Sequence, residues 1–243
     1  MLVSEVMLQQ TQVSRVIPAY QHFLRRFPTL RALSRASLGD VLREWQGLGY
    51  NRRARDLHRI ARATPSGLPS EVAALDALPG IGAYTAGAVA CFSRGDSVAF
   101  ADTNIRRVLG RVVLGRVATE REAVAIDREL MSPREAARWH HALMDVGATI
   151  CRSRAPACAS CPLATRCRAR GHVAAPSPRR EVTFAKSTRR LRGIALRELS
   201  RKDRMTRSAL VRAIGDARAP SVLAGLARDG LIETSGRTVR LPA

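Results

Sequence analysis

The sequence lacks any long apolar run and any secretory pattern at its start. No stretch reaches the roughly 18–20 apolar residues that a membrane-spanning helix needs, and no signal peptide opens the chain. We therefore expect neither a membrane protein nor a secreted one. Lysine is also scarce, since only Lys186 and Lys202 occur in 243 residues. Residues 1–185 accordingly offer no lysine amine for Schiff-base chemistry.

Acidic residues are few, and this imbalance points to a partner. The 20 Asp and Glu residues stand against 41 Lys and Arg, which gives a formal net charge of +21 and a pI near 11.5. Such a surplus indicates a polyanion, most commonly nucleic acid. An arginine-biased proteome would be the alternative explanation. The part of the chain after residue 167 is the more basic per residue.

The cysteines form one cluster and one isolated residue. Cys91 stands alone, whereas Cys151, Cys158, Cys161 and Cys167 follow one another closely in a C-x6-C-x2-C-x5-C pattern. A secreted disulfide framework would spread its cysteines. Structural zinc usually shows two close pairs, and only one is present here. The spacing favours a [4Fe–4S] cluster over zinc and leaves zinc open.

Periodicity and punctuation divide the chain into three segments. Apolar residues recur every three or four positions up to about residue 150, which predicts an all-α domain with helices of about 10–15 residues. We predict a helical domain over 1–170 with its cysteine loop at 151–167, and a proline-containing linker over 171–188. Residues 189–243 predict a small basic winged-helix-like α+β module. Its expected elements are three helices (191–199, 208–214 and 221–229) and a hairpin formed by 231–234 and 238–241.

Leu78-Pro-Gly-Ile-Gly82 is a tight turn between two predicted helices, 69–77 and 83–93. Gly80 and Gly82 allow a close backbone approach, and N–H groups at the start of the second helix can bind an anion such as a DNA phosphate. A helix–helix corner that needs glycine for packing alone is the other interpretation.

Two acids are candidates for chemistry. Asp102 could cap a helix, or it could be a carboxylate at the mouth of a basic groove that includes Arg106. Glu5 could favour a helix dipole as a solvated first-turn acid, or it could be a partly desolvated acid that donates a proton near neutral pH. The residues alone leave both alternatives open.

Five motifs in one order carry a resemblance that covers about residues 2–170. They are Ser4–Val13, Gly47–Tyr50, Leu78–Gly82, Asp102–Val108 and the cysteine loop. Together they resemble the helix–hairpin–helix DNA glycosylases, and among them the A/G-specific adenine glycosylases (MutY type). The resemblance implies excision of adenine mispaired with 8-oxoguanine or guanine, after the adenine is extruded into a cleft between two helical lobes.

The resemblance also implies roles for particular residues. Glu5 would protonate the adenine, Asp102 would stabilise the oxocarbenium-like sugar, Asn104 would orient Asp102, and Tyr84 would line the cleft. Related glycosylase/lyases carry a lysine where Tyr84 stands, and an arginine cannot replace that nucleophile. We therefore expect a monofunctional enzyme.

DNA contacts and the cofactor follow from the same resemblance. Gln10 would enter the base stack, Thr11 and Leu48 would contact the oxidised guanine, and Tyr50 would wedge beside it. Further DNA contacts are expected from Gly80, Gly82 and Arg106. The four clustered cysteines would hold a [4Fe–4S] cluster. The expected partner is double-stranded DNA, bound by a monomer in the cytoplasm at the nucleoid.

Two departures from the family pattern accompany the resemblance. Family members carry an additional N-terminal segment of roughly thirty residues, so either the start of this sequence is misassigned or the protein is shortened. Many members also carry a C-terminal Nudix-like domain, which we expect this chain to lack. The basic tail would then add nonspecific phosphate contacts. The alternatives are an inactive or regulatory DNA-binding homologue, a glycosylase for another lesion, and a zinc-stapled DNA-binding module.

Overall fold

Residues 1–172 and 183–243 are described by a computed structural model, and they form two compact units. The Tyr50 unit comprises Leu2–Pro69, Leu78–Gly80 and the described residues from Thr183 to Ala243. The Asp102 unit comprises Ser70–Ala77 and the described residues from Ile81 to His172. Most of the predicted linker falls on residues 173–182, which lie outside the described residues.

The Tyr50 unit begins with five helices. They are α1 (Leu2–Leu8), α2 (Val13–Arg26), α3 (Leu30–Arg35), α4 (Leu38–Glu44) and α5 (Arg52–Ala63). The hydroxyls of Thr29 and Ser37 cap α3 and α4 by accepting from backbone N–H groups. The buried rings of Phe23, Phe27 and Trp45 pack edge to face and join α2 to the end of α4.

The Asp102 unit holds the next five helices. They are α6 (Val72–Asp76), α7 (Ala83–Arg94), α8 (Thr103–Leu109), α9 (Glu120–Leu130) and α10 (Ala136–Asp145), and α8 and α10 run on into π-helical turns at Gly110–Leu114 and Val146–Ile150. The fully buried Asp127 carboxylate accepts from Trp139 Nε1 at 2.6 Å and from the backbone N–H of Phe100 at 3.1 Å, and it lies 2.8 Å from His140 Nε2. This buried polar group is therefore fully partnered inside the apolar core.

The C-terminal module completes the Tyr50 unit. It consists of α11 (Thr188–Arg201), β1 (Met205–Thr206), α12 (Arg207–Ile214), α13 (Ala219–Arg228), β2 (Glu233–Ser235) and β3 (Thr238–Arg240). The strands form an antiparallel sheet in the order β1-β3-β2, and Val239 faces both Met205 and Thr234 in register. The hairpin closes with a Gly236 turn, as the sequence predicts.

The fold prediction is confirmed as an all-α domain followed by a small α+β module, but helix lengths differ from expectation. Five of the first ten helices have only five to seven residues. The predicted helix at 69–77 shortens to Val72–Asp76 because the chain stays extended through Glu71. Strand β1 was not predicted, since two residues carry no periodicity. Among the described residues, no helix is long and apolar enough to cross a bilayer.

Candidate functional site

The first helix and the turn after it carry three of the predicted site residues. Glu5 lies on α1 with only 8% of its surface exposed. After α1 ends at Leu8, exposed Gln10 takes a left-handed backbone conformation with φ of 59°. A side-chain-bearing residue in this region stores about 1–3 kcal/mol of strain, and such residues cluster at functional sites. Half-buried Thr11 follows directly.

A buried arginine on α5 holds this turn in place. The Arg53 guanidinium donates to the carbonyls of Val6 and Met7 at 2.9 Å each, to the Gln9 carbonyl, and to Thr11 Oγ1 at 3.0 Å. Burial lowers the pKa of Arg53 to about 10, so it stays charged at neutral pH. Backbone carbonyl dipoles compensate this buried charge.

The same guanidinium holds the segment that leads to Tyr50. Arg53 Nη2 also donates to the carbonyls of Leu48 and Gly49, at 3.3 and 3.1 Å. The indole N–H of Trp45 donates to the Gly49 carbonyl at 3.2 Å, and Leu48 is buried. Half-buried Tyr50 is left-handed like Gln10, with φ of 48°. Arg53 therefore brings together the backbone around four predicted recognition residues: Gln10, Thr11, Leu48 and Tyr50.

The predicted hairpin turn is present between α6 and α7. Gly80 has φ of 75°, and a Cβ there would lie 3.0 Å from the Cβ of Asp56. Glycine is therefore required at this position for both conformation and space. Gly82 is exposed and precedes α7 in an extended conformation without a side-chain cap. Because Gly82 has no side chain, it cannot accept a hydrogen bond from the first N–H groups of α7.

Asp102 is a helix cap whose carboxylate is held at both oxygens. Oδ1 accepts from the backbone N–H of Ile105 at 2.7 Å, and Oδ2 accepts from Asn104 Nδ2 at 2.8 Å. Arg107 Nη2 donates in turn to Asn104 Oδ1 at 2.7 Å, which fixes the amide with its nitrogen toward Asp102. The sequence left open whether Asp102 caps a helix or presents an oriented carboxylate. In the structure its side chain does both.

Arg107 connects this carboxylate to the cysteine loop. Its guanidinium also donates to the carbonyls of Gly147, at 2.7 Å, and Cys151, at 2.6 Å. Burial lowers the pKa of Arg107 below its usual value. A Cβ at Gly147 would lie 2.6 Å from the Cβ of Asn104, so only glycine allows this approach.

The remaining predicted residues of the Asp102 unit have ordinary packing partners. Half-buried Tyr84 lies edge-on to Phe100 with ring centroids 5.6 Å apart. Arg106 donates through Nε to the Ala118 carbonyl at 3.1 Å. Cys91 is buried within α7.

The four clustered cysteines line one cavity of the Asp102 unit. Buried Arg111 donates to Cys151 Sγ at 3.5 Å, and its carbonyl lies 3.6 Å from Cys167 Sγ. Within residues 1–172 and 183–243, no three His, Cys, Asp or Glu side chains are grouped tightly enough to bind a single metal ion. The loop thus places four thiols around shared space with a cationic donor beside them.

The structure therefore sorts the predicted residues into two groups. Glu5, Gln10, Thr11, Leu48 and Tyr50 belong to the Tyr50 unit, with Gly80, while Asp102 and Asn104 belong to the Asp102 unit with Tyr84, Gly82, Arg106 and the cysteine loop. Sequence reasoning missed the positioning roles of Arg53, Arg107 and Gly147. In so arginine-rich a chain, no local signal distinguishes these residues.

Comparison with known proteins identifies the class first. The family described as "HhH-GPD superfamily base excision DNA repair protein" matches residues 3–133, more than half of the chain. A solved structure titled "Structure of a non-covalent Endonuclease III-DNA Complex" aligns with a TM-score of 0.63 at 23% identity, covering 69% of this chain and 81% of that one. This likeness shows the helix–hairpin–helix fold.

Similarity to curated proteins then identifies the family within this superfamily. The adenine DNA glycosylase of Mycolicibacterium smegmatis is 44% identical over 200 residues, covering 79% of this chain and 68% of the relative. The human adenine DNA glycosylase is 39% identical over 181 residues, covering 70% of this chain and 33% of the relative. The chain therefore belongs to the HhH-GPD superfamily and, within it, to the adenine DNA glycosylases, which are base-excision repair enzymes.

Proposed function

We propose that this chain hydrolyses the N-glycosidic bond of adenine mispaired with 8-oxoguanine or guanine in double-stranded DNA. The observation that carries the proposal is the carboxylate of Asp102, held at both oxygens by Ile105 N–H and the Asn104 amide. A preoriented carboxylate stabilises the positive charge that develops on the sugar as the bond breaks. The adenine DNA glycosylase relatives support adenine as the base that leaves.

In the proposed reaction, two carboxyl groups have different tasks. Glu5 donates a proton to N7 of the extruded adenine, which makes the base a leaving group. Asp102 stabilises the oxocarbenium-like sugar until water attacks its anomeric carbon. Asn104 keeps Asp102 in position, and Tyr84 lines the space for the nucleotide. The division of labour is that of two-carboxylate glycoside hydrolysis.

The proposed enzyme cleaves the base without cleaving the strand. Residues 1–185 contain no lysine, and Tyr84 stands just after the hairpin, where the related lyases carry their nucleophile. Arginine stays protonated and cannot form a Schiff base with the sugar. Hydrolysis by water is the chemistry that these residues support.

Recognition is assigned to the segments that Arg53 holds. Gln10 enters the base stack, Thr11 and Leu48 contact the guanine-type base, and Tyr50 wedges beside it, where stacking offsets part of the unstacking energy. Gly80, Gly82 and Arg106 contact the DNA backbone. The proposed enzyme acts as a monomer in the cytoplasm at the nucleoid.

The cysteine loop is the proposed site of a [4Fe–4S] cluster held by Cys151, Cys158, Cys161 and Cys167. The donor set fits this group because each cysteine can ligate a different iron, so the four thiols need not converge on one ion. Arg111 donates to a ligand sulfur and offsets the negative charge of the thiolates. The cluster would stabilise the cysteine loop, whose Cys151 carbonyl accepts a hydrogen bond from Arg107. Iron and sulfide analysis of the purified protein tests this assignment, and bound zinc without sulfide would contradict it.

The catalytic assignment is tested by single-turnover incubation with a duplex that carries adenine opposite 8-oxoguanine. Wild-type enzyme should produce an abasic strand that breaks only after alkali treatment. Glu5→Gln and Asp102→Asn should each lower the rate by about 100-fold or more. Glu129→Gln and Asp76→Asn, at exposed carboxylates, are matched controls. Strand cleavage without alkali would contradict monofunctionality, and wild-type rates in both test variants would contradict the assigned roles.

A further inference from the structure

The C-terminal module and the Tyr50 segment enclose a cleft within one compact unit. The cavity has a volume of about 540 Å³. One wall is formed by Gln10 and the segment Gly47–Tyr50, and the other by Phe184 and the exposed face of α11. The module therefore reaches the residues to which the proposed function assigns recognition of the base opposite the adenine.

The charge of this cleft has one sign. Among the described residues that line it are four arginines, Arg15, Arg189, Arg190 and Arg197, and no acidic residue. Phe184, which lines the cleft, is 63% exposed, and this is unusual for a large apolar side chain. A cationic groove with an exposed aromatic ring is a combination that binds a nucleic-acid strand, since arginines pair with phosphates and rings stack on bases.

Arg189 connects the module directly to Tyr50. Its guanidinium carbon lies 4.2 Å from the centre of the Tyr50 ring, within the range of a cation–π interaction. The Tyr50 backbone is left-handed, and the segment before it is held by Arg53 of α5. The ring is thus packed against a cation of the module while its backbone is held from another helix.

The contact between the module and the rest of the unit is built from buried and charged groups. Asp229, at the end of α13, lies 2.6 Å from Arg52 Nη2 and 2.5 Å from Arg192 Nη2, and its backbone carbonyl accepts from Arg55 at 2.6 Å. The backbone N–H of Gly39 donates to the carbonyl of Pro242 at 2.8 Å. These bonds join the module to helices α4 and α5 of the same compact unit.

We propose that this cleft binds the DNA strand that carries the guanine-type base, with Arg189 and Arg197 on its phosphates. The module thereby becomes part of the recognition site. The strand assignment rests on the proposed function, which places Tyr50 beside that base. Arg189 also keeps the Tyr50 ring in position, so it contributes to mispair discrimination, whereas Arg197 contributes phosphate binding alone.

The first test measures binding of the full-length protein to a duplex with 2′-fluoro-deoxyadenosine, which resists hydrolysis, opposite 8-oxoguanine. Arg197→Gln should weaken binding about three- to tenfold and reduce the slope of log K against log salt by about one. Arg212→Gln, at an exposed arginine of α12 outside the cleft, is the matched control and should change neither. Glutamine is a good helix former, so both variants should fold. Identical behaviour of the two variants would overturn the proposal.

Neutral methylphosphonate linkages then identify the strand. Placed beside the 8-oxoguanine, they should abolish the difference between wild type and Arg197→Gln; placed on the adenine strand, they should leave it intact. A difference that survives both substitutions would overturn the proposal. Arg189→Gln should weaken binding to the mispair more than to a fully paired duplex, and equal weakening would remove the discrimination role.

Adenine release by the wild-type enzyme is measured in parallel on the same duplex with ordinary deoxyadenosine. This measurement distinguishes failure of the cleft proposal from failure of the proposed function. If adenine is released while Arg197→Gln binds as wild type does, the cleft proposal fails and the proposed function stands. If binding depends on Arg197 but no adenine is released, the proposed function fails and the cleft stands as a DNA site.

Discussion

Arg53 in the Tyr50 unit and Arg107 in the Asp102 unit hold candidate site residues in two different ways. Arg53 donates to backbone carbonyls before Gln10 and before Tyr50 and to the hydroxyl oxygen of Thr11, so it positions whole segments. Arg107 donates to the side chain of Asn104, which holds a single carboxylate, and to two carbonyls near the cysteine loop. If these residues have the roles proposed for them, we expect recognition to depend on backbone shape and chemistry to depend on the orientation of one side chain.

Arg53→Met should produce the largest effect, and on stability. The substitution leaves several buried carbonyls without a donor, which costs about 3–5 kcal/mol. The apparent Tm, measured by circular dichroism, should fall by about 6–20 °C. Arg53→Lys should recover only part of this loss, because an ammonium cannot reproduce the planar fork. Full recovery with lysine would mean that charge alone, and not geometry, holds the two segments.

Arg107→Gln should act on rate more than on stability. Loss of the bond to Asn104 frees the amide that orients Asp102, so the single-turnover rate should fall about 10- to 100-fold. The Tm should change by less than with Arg53→Met. If Arg107→Gln lowers Tm strongly but leaves the rate of the folded fraction unchanged, the contrast between the two arginines is wrong.

Gly147→Ala tests the positioning of Asn104, and so of Asp102, by adding a single methyl group beside it. The added Cβ would meet Asn104 at 2.6 Å, so either the π-helical turn or Asn104 must shift, at about 1–2 kcal/mol. We expect about a tenfold lower single-turnover rate with an unchanged dissociation constant for mispaired duplex. Gly193→Ala, on α11 with open space around its Cβ, is the steric control for stability. A weakened dissociation constant in Gly147→Ala with a normal rate would contradict the expectation.

The smallest expected effect belongs to Asp229 and depends on pH. The Arg52 guanidinium hydrogen-bonded to Asp229, assisted by Arg192, holds the pKa of that carboxyl below its usual value. Its stabilisation is therefore present above the unfolded pKa of about 4 and is lost as the pH falls through the folded pKa. Because Arg52 is largely exposed, we expect only about 1 kcal/mol. Asp229→Asn should lower Tm by about 2–4 °C at pH 7, and the difference should shrink below pH 4.

Much of the fold followed from pattern, and the reasons for the exceptions are physical. The helices α11, α12 and α13 and the terminal hairpin were predicted because apolar period and a glycine turn mark them locally. The short helices α3, α4 and α6 were overestimated in length because their ends depend on caps and on packing, which periodicity does not encode. Strand β1 forms only because β3 lies beside it.

The candidate site shows the same division. Motif order was sufficient to select Glu5, Asp102, Tyr50 and the cysteines, whose roles remain predictions. The positioning of these residues by Arg53, Arg107 and Gly147 could not be predicted, since hydrogen bonds to distant carbonyls leave no spacing in the sequence. The contact between Arg189 and Tyr50 joins residues far apart in the chain, so it could not be predicted from the sequence either.

The amino-acid sequence by itself determined the family, the helical class, the absence of a Schiff-base lysine before residue 186, and the clustering of four thiols. These properties depend on residue types, their order and local periodicity. Only the tertiary structure decided which arginines are buried, which glycines permit close approach, and that the C-terminal module shares a cleft with Tyr50. Such properties arise from packing between distant segments, where burial and carbonyl partners, rather than residue type, set what a charged side chain does.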